Sequence, residues 1–309
     1  MNPHTLTHRP QTHSLLQSGL RQLWPADVSR LRLDHHPRID GADAAALLVQ
    51  APGASYWLPD TGEFLLVTPW RRRPELVTVH TFGAFGNEPL LLDAVFAQAE
   101  ADGRAGLVLV DVNETRQPKF YARHRFERLE EIVTYTHRFP SRLGAMYREP
   151  DLAFARVDIG EPALLRAVEE LDHAAFPWFW WNSGPEFHAY LADPSVELWA
   201  GVLGDDVVAY IGITSYRRWG HLDRIATLPG LQGRGIGRAA LSFAAGRLAE
   251  LGARQVALST QGRNQRSRTL YQQSGFQRTP RDDYAIHARV FDRARIHAPA
   301  GCDPARADT

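Results

Sequence analysis

The sequence predicts a mixed α/β protein made of two similar domains in tandem, and three observations carry that expectation. Strand-like apolar runs and amphipathic helical runs follow one another along the chain, which argues against a sandwich or a helical bundle. An order of elements found between Pro89 and Phe126 returns between Gly235 and Phe276. The chain of 309 residues also exceeds the roughly 100–200 residues expected of one domain.

In the first copy, Pro89 to Asp102 reads as a helix and Leu107 to Val110 as a buried strand. Phe120 to Phe126 reads as a short helix entering a further strand. In the second copy, Gly235 to Leu251 is the helix and Gln255 to Leu258 the strand, while Leu270 to Phe276 closes the unit. Tyr121 matches Tyr271 and Phe126 matches Phe276, each pair 150 positions apart. Between Arg138 and Leu152, Pro140, Gly144 and Pro150 interrupt the pattern, and Phe154 begins a new alternating strand. The expected divisions are therefore a tail over 1–13, a first domain over 14–150, a second over 151–296 and a tail over 297–309. His4, His8 and His13 lack the convergence that a metal site needs, and no metal is expected.

Hydrophobic residues make up 44% and charged residues 23%, close to the average for globular proteins. Basic and acidic residues both number 35, so no net positive field holds a nucleic-acid backbone, and nucleic acid is not an expected partner. No run approaches the ~18 apolar residues of a membrane helix, and Met1 to His13 is not a secretory signal. The one cysteine, Cys302, has no intramolecular partner. A cytoplasmic protein without membrane contact is the expectation.

Leu222 to Leu228 reads as a strand, Pro229 ends it, and Gln232-Gly233-Arg234-Gly235-Ile236-Gly237 leads into a long helix. Glycines at 233, 235 and 237 let successive amides turn toward one point at a helix N-terminus. That arrangement attracts phosphate, with Arg234 and Arg238 as charged supplements. The loop lacks the Gly-Lys-Ser/Thr ending of a P-loop, and its G-x-G-x-G spacing is not the dinucleotide-binding G-x-G-x-x-G. A plain glycine-rich turn is the competing reading of the hexamer alone.

The hexamer resembles the Arg/Gln-x-x-Gly-x-Gly/Ala pyrophosphate loop of the GNAT superfamily of N-acetyltransferases. Asn264, Ser267, Leu270, Tyr271, Gly275 and Phe276 are similar to the downstream series of that family. The resemblance covers Phe154 to Val290 well and the first half weakly. It implies an α/β (α+β) fold of two tandem GNAT-like domains, each a mixed, mostly antiparallel sheet flanked by helices. It also implies acetyl-coenzyme A as co-substrate and transfer of acetyl to an amine by direct attack on the thioester. The acceptor would be a small-molecule amine, a protein N-terminus or a lysine.

By the same resemblance, Ile225, Ala226 and Thr227 line the slot for the pantetheine arm, and an amide there stabilises the oxyanion. Tyr271 resembles the family's general acid, a core tyrosine being the alternative. Asn264 either bonds the pantetheine or orders the next helix. Asp223 and His221 are candidates for the base and for contact with the acceptor, since positions 221 and 223 share a strand face. The aromatic stretch Phe176 to Trp181 occupies the acceptor-loop position. Trp181, with Glu186 nearby, is expected to face the cleft, although the aromatics could equally staple domains. Arg71-Arg72-Arg73 reads as a solvated turn.

The first half has no three-glycine loop; Gly83 and Gly86 are followed by Asn87, Glu88 and Pro89. It reads as a degenerate copy, an arrangement also found in paired-domain members such as mycothiol synthase. A silent acyl-coenzyme A sensor and a xenobiotic acetyltransferase are the rival functions, and oligomeric state is left open.

Overall fold

The computed structural model describes residues 19–33, 39–112 and 116–304. The three N-terminal histidines and residues 305–309 lie outside the described residues, as do 14–18 of the expected first domain. By contact density the chain forms two compact units. One comprises residues up to Trp70 together with Pro74–Val108; the other comprises Arg71–Arg73 and everything from Leu109.

The first unit holds strands β1 (Arg21–Gln22), β2 (Tyr56–Leu58), β3 (Glu63–Pro69) and β4 (Val77–Gly83) in antiparallel order. The start of β5 (Gly106–Val112) pairs parallel with β4, after helices α1 (Gly41–Leu48) and α2 (Glu88–Ala101). Trp57, Phe64 and Leu66 pack against Ala44 and Leu48 of α1 to form its core. The turn before α2 carries an internal anion. Glu63 Oε2 accepts from the amides of Phe85 (2.8 Å), Gly86 (3.2 Å) and Asn87 (3.0 Å), and Asn87 Nδ2 donates to Oε1 (2.7 Å). Burial opposes the Glu63 charge, but these donors outweigh it and pull the carboxyl down to about 2.

The second unit is one sheet in the order β13-β6-β11-β10-β9-β8-β7. Its strands are β6 (Glu127–His137), β7 (Leu152–Val157), β8 (Val196–Leu203), β9 (Asp206–Tyr216), β10 (Trp219–Thr227), β11 (Gln255–Gln261) and β13 (Tyr284–Val290). A short β12 (Gln277–Arg278) also pairs with β6. The helices are α3 (Pro118–Arg123), α4 (Pro140–Gly144), α5 (Pro162–Ala175), α6 (Gly184–Leu191), α7 (Ile236–Glu250), α8 (Gln265–Gln273) and α9 (Arg293–Ile296). Helix α7 covers one face of the sheet through Ala240, Leu241, Ala244 and Leu248. Leu165, Val168 and Leu171 of α5 join Phe187 of α6 in a second core with Leu198 and Tyr210.

The division at Val108/Leu109 differs from the expected junction at Pro150 because of β6. This strand closes the first sequence repeat, yet it pairs with β11 from Val256↔His137 to Gln261↔Ile132 and with β13 from Tyr284↔Ile132. The proline-interrupted stretch carries the short helix α4. A Cβ on Gly144 would lie 2.4 Å from Gly246 Cα, so α4 docks on α7 backbone to backbone.

The internal echo is reproduced atom for atom at the ends of α3 and α8. Phe126 N donates to Tyr121 O (2.8 Å) as Phe276 N donates to Tyr271 O (3.0 Å). This cap needs a left-handed residue, and Arg125 takes φ 55° where Gly275 takes 85°.

Two surface expectations are corrected. Arg71–Arg73 is not a solvated turn: Arg73 is buried with its guanidinium 4.4 Å from the Trp178 ring, and Arg71 Nη1 donates to Asn182 Oδ1 (2.5 Å). The expected mobile end from His297 packs as far as it is described, since Ala298 O accepts from Trp178 N (3.2 Å) and Gly301 N donates to His173 O (3.1 Å).

Candidate active site

The site begins where β10 leaves β11. These strands pair in parallel only from Trp219↔Gln255 to Leu222↔Leu258, while β10 stays paired with β9 to Thr227↔Ala209. A wedge therefore opens beside the β10 backbone from Asp223 onward. The β9 ladder jumps from Leu222↔Ile213 to Arg224↔Gly212, making Asp223 an extra residue in β10. The bulge resets the side-chain alternation. Leu222 and Ile225 both pack with the α7 core, whereas Ala226 joins the α5 core and Arg224 reaches Asp172 of α5.

At the mouth of the wedge stands the glycine loop. Gly233 and Gly235 have φ of 85° and 90°, which side chains rarely adopt, and a Cβ on Gly235 would lie 2.5 Å from Tyr147 Oη. Gly235 is the N-cap of α7, and Arg238 N and Ala239 N both donate to its carbonyl (2.9 and 3.0 Å). The amides from Gly233 to Gly237 thus precede the first intrahelical bonds and carry the positive end of a 15-residue helix. Gln232 Nε2 ties this loop to Thr227 O (3.2 Å). A cavity of about 840 Å³ runs from the loop into the wedge, lined by Ile225, Ala226, Thr227, Gln232, Gly233, Arg234, Gly235, Gly237, Arg238, Asn264 and Tyr271. Of the residues expected to bind a cofactor, Ile236 alone is absent from these walls; it is buried against Ala239 and Val208. Tyr147 and Phe176 also line the cavity, and the sequence reading had not singled out either for this place.

Tyr271 is 3% exposed and lies between this cavity and a second one. Burial pushes its phenol up to about 12 against the hydrogen bond of Ser267, so it remains a proton donor near neutrality. Tyr271 is both a core residue and a cavity residue. Asn264 likewise lines the cavity while its side chain caps α8, accepting from Ser267 N (3.1 Å).

The second cavity, about 170 Å³, shares Phe176, Ile225, Asn264, Ser267 and Tyr271 with the first and adds His221, Asp223, Arg224, Trp180 and Arg71. Asp223 is held by donors on both oxygens. Tyr190 Oη (2.5 Å) and Thr214 Oγ1 (2.6 Å) reach Oδ2, and His221 Nδ1 lies 2.6 Å from Oδ1. Burial first, then the Asp223 charge, push the Tyr190 phenol well above its usual range, so it donates. An acceptor at Nδ1 selects the tautomer protonated there, which leaves Nε2 as the basic nitrogen of His221.

Arg224 is set by a buried network. Asp172 Oδ1 accepts from Arg224 Nε (2.9 Å) and Nη2 (2.6 Å) and from the Tyr210 hydroxyl, and Oδ2 accepts from Asn182 N (3.0 Å). Arg224 Nη2 also reaches Trp180 O (2.6 Å). Burial opposes the Arg224 charge, but Asp172 and Tyr210 outweigh it and push the guanidinium up. Asp172 follows Leu165, Val168 and Leu171 on the buried stripe of an amphipathic helix, a polar residue in an apolar place that was visible in the sequence. Arg71 gave no such signal.

Two expected acceptor contacts fall elsewhere. Trp181 lines neither cavity; it donates from Nε1 to Phe176 O (2.7 Å) and stacks on His173 at 4.2 Å, while its neighbours Phe176 and Trp180 form the walls. Glu186 also lines neither; it sits in the first turn of α6 and faces Arg72 Nε at 3.6 Å. No group of three or more His, Cys, Asp or Glu among the described residues is arranged to hold a metal ion. No helix among them is long and apolar enough to cross a membrane.

Residues 165–276 match the model of the acetyltransferase (GNAT) family. No curated protein matches the chain. Among solved structures, a GCN5-related N-acetyltransferase from Sphaerobacter thermophilus is 16% identical with a TM-score of 0.56, covering 88% of this chain and 95% of that one. A GCN5-related N-acetyltransferase from Kribbella flavida is 12% identical with a TM-score of 0.63, covering 88% and 71%. A tandem GNAT protein from the clavulanic acid biosynthesis pathway is 13% identical with a TM-score of 0.57, covering 88% and 98%. At these identities the likeness is one of fold. Residues 165–276 thus resemble the acetyltransferase (GNAT) family, within a chain whose fold is similar to those GNAT structures over most of its length.

Proposed function

We propose that this chain is an acetyl-coenzyme A-dependent N-acetyltransferase, acting on an amine by direct attack on the thioester. The observation that carries the reading is the junction, in one cavity of about 840 Å³, of a helix-start glycine nest with the wedge between β10 and β11. The residues fit the coenzyme. The nest offers main-chain donors where a diphosphate needs them, and the hydroxyl of Tyr147 stands where a Cβ on Gly235 would intrude.

Acetyl-coenzyme A supplies an activated acyl group as a thioester. The amides of Gly233 to Gly237, with Arg234 and Arg238, hold its diphosphate. The β10 backbone beyond Leu222 offers peptide groups along the wedge, and one N–H there stabilises charge developing on the carbonyl oxygen, an effect of about 2.7–4 kcal/mol. His221 Nε2 takes the proton from the attacking nitrogen, with Asp223 orienting the ring. Tyr271 Oη gives a proton to the departing sulfur. The N–C bond forms as the C–S bond breaks, and proton transfer of this kind contributes roughly 10²–10⁴-fold. In this reading Asp223 positions the base instead of acting as it. The first unit serves without coenzyme, because Glu63 already occupies the amides ahead of α2.

The test is calorimetry with coenzyme A followed by thiol release from acetyl-coenzyme A over a panel of amines. Binding with amine-dependent release is expected. Absence of binding refutes the loop assignment, and binding without release from any amine points to a sensor.

A further inference from the structure

We propose that Tyr147, in the stretch that joins the two repeats, is a coenzyme-binding residue whose hydroxyl donates a hydrogen bond to the diphosphate at the glycine nest. The inference deepens the acetyl-transfer reading and rests on it. Tyr147 lies outside residues 165–276, the part that matches the family model, yet it lines the larger cavity beside Gly233, Gly235 and Gly237. Its hydroxyl oxygen comes so close to the nest that a Cβ on Gly235 would lie 2.5 Å from it. Position 235 therefore needs glycine both for its φ of 90° and for the room that this hydroxyl takes. Among the described residues no hydrogen bond reaches the hydroxyl, so its donor is available to a ligand. The cavity wall carries Arg234, Arg238 and Arg266 and no carboxylate, which favours an anion there.

The ring is fixed by the way its segment docks. Ser242, buried on α7, donates from Oγ to Leu143 O (2.5 Å) and accepts from Tyr147 N (3.2 Å), so one hydroxyl fastens both ends of the turn. The close approach of Gly144 to Gly246 brings this turn onto the same helix that begins at the nest. The Tyr147 ring packs against the cluster of Leu152, Val208, Ile236 and Ala239, and the Arg238 guanidinium lies 5.4 Å from its centroid. Ile236, Arg238 and Ala239 belong to the start of α7, so the ring is registered to the very turn whose amides form the nest. A tyrosine has only two side-chain torsions, and a donor placed before binding adds affinity at a small cost in entropy.

The experiment is calorimetry on the full chain with coenzyme A, with ADP, which keeps a diphosphate, and with pantetheine, which has no phosphate. Tyr147→Phe keeps the ring and should weaken binding of coenzyme A and ADP by about 10- to 100-fold, the range of one hydrogen bond to a charged group, while pantetheine binding is unchanged. The Tm of the free variant should match that of the wild type. A merely structural role would instead lower this Tm and weaken all three probes alike, and that result overturns the proposal. Coenzyme A bound equally well by the variant overturns it too and leaves the acetyl-transfer reading intact, whereas a wild type that binds no coenzyme A overturns both. Nitration of Tyr147 by peroxynitrite, mapped by mass spectrometry in the wild type, needs no variant. Suppression by saturating coenzyme A is expected, and nitration that coenzyme A leaves unchanged overturns the contact even if Tyr147→Phe does not fold.

Discussion

Replacing Asp172 by Asn removes one charge from the α5 network without changing its volume. The Asp172 side chain is 0% exposed and that of Arg224 11%, with the closest contact at 2.6 Å. Asn keeps one oxygen that can accept from Tyr210 or Arg224, but it leaves the Arg224 cation without its counter-charge. Breaking one side of a buried pair costs about 3–5 kcal/mol. For a folding unit of this size each kcal/mol moves the midpoint by about 2–4 °C, so Tm should fall by about 6–20 °C. Arg224→Met should be costly for the reciprocal reason, as it strands the carboxylate. The double variant should be less destabilised than the sum of the singles by at least about 1 kcal/mol, since residues in one network do not add. Urea titration followed by circular dichroism measures all three. Asp172→Asn within about 0.5 kcal/mol of the wild type, or singles that simply add, would refute the claim that the pair acts as a unit.

Tyr271→Phe should lower kcat by about 10²-fold or more while leaving the coenzyme Kd nearly unchanged. Because burial raises this phenol to about 12, its acid form persists through neutral and mildly alkaline pH, and no loss of rate from its ionisation should appear below about pH 11. Gly235→Asp combines left-handed backbone strain of about 1–2 kcal/mol with a clash at Tyr147 and a negative charge among the nest amides, so calorimetry should show coenzyme binding weakened by at least about tenfold. An unchanged Kd contradicts the loop assignment. Glu63→Gln should cost about 2 kcal/mol at neutral pH. Glu63 sits at about 2 in the folded protein against 4.5 for an ordinary glutamate, so its contribution is present above about pH 4.5 and is lost as pH falls through 2. Denaturation of the two proteins across that window should converge; a gap that persists at pH 2 contradicts the carboxylate's role.

Much of the site could be read from the chain because its parts are local. The glycine loop, its helix and the Asn264-to-Phe276 series each depend on neighbours a few residues apart, and ten of the eleven expected cofactor residues line one cavity. His221 and Asp223 lie in contact, but the hydrogen bonding of Asp223 was not legible. It depends on Tyr190 and Thr214, which reach Asp223 from another helix and another strand. The aromatic run was located, yet which rings face the cavity turns on the short turn Trp178–Trp180, which directs Trp180 to the wall and Trp181 onto His173.

The sequence by itself determined the elements, the repeat and the glycine loop, since helix periodicity, proline and glycine positions and motif spacing are short-range properties. Only the tertiary structure decided that β6 joins β11, that a one-residue bulge at Asp223 turns Arg224 toward α5, and that Arg71 lines the smaller cavity. Strand partners and register are chosen by contacts between residues more than a hundred positions apart, and alternation along a strand is unchanged whichever neighbour it finds. A charge run in a turn carries no mark of the cavity that it enters.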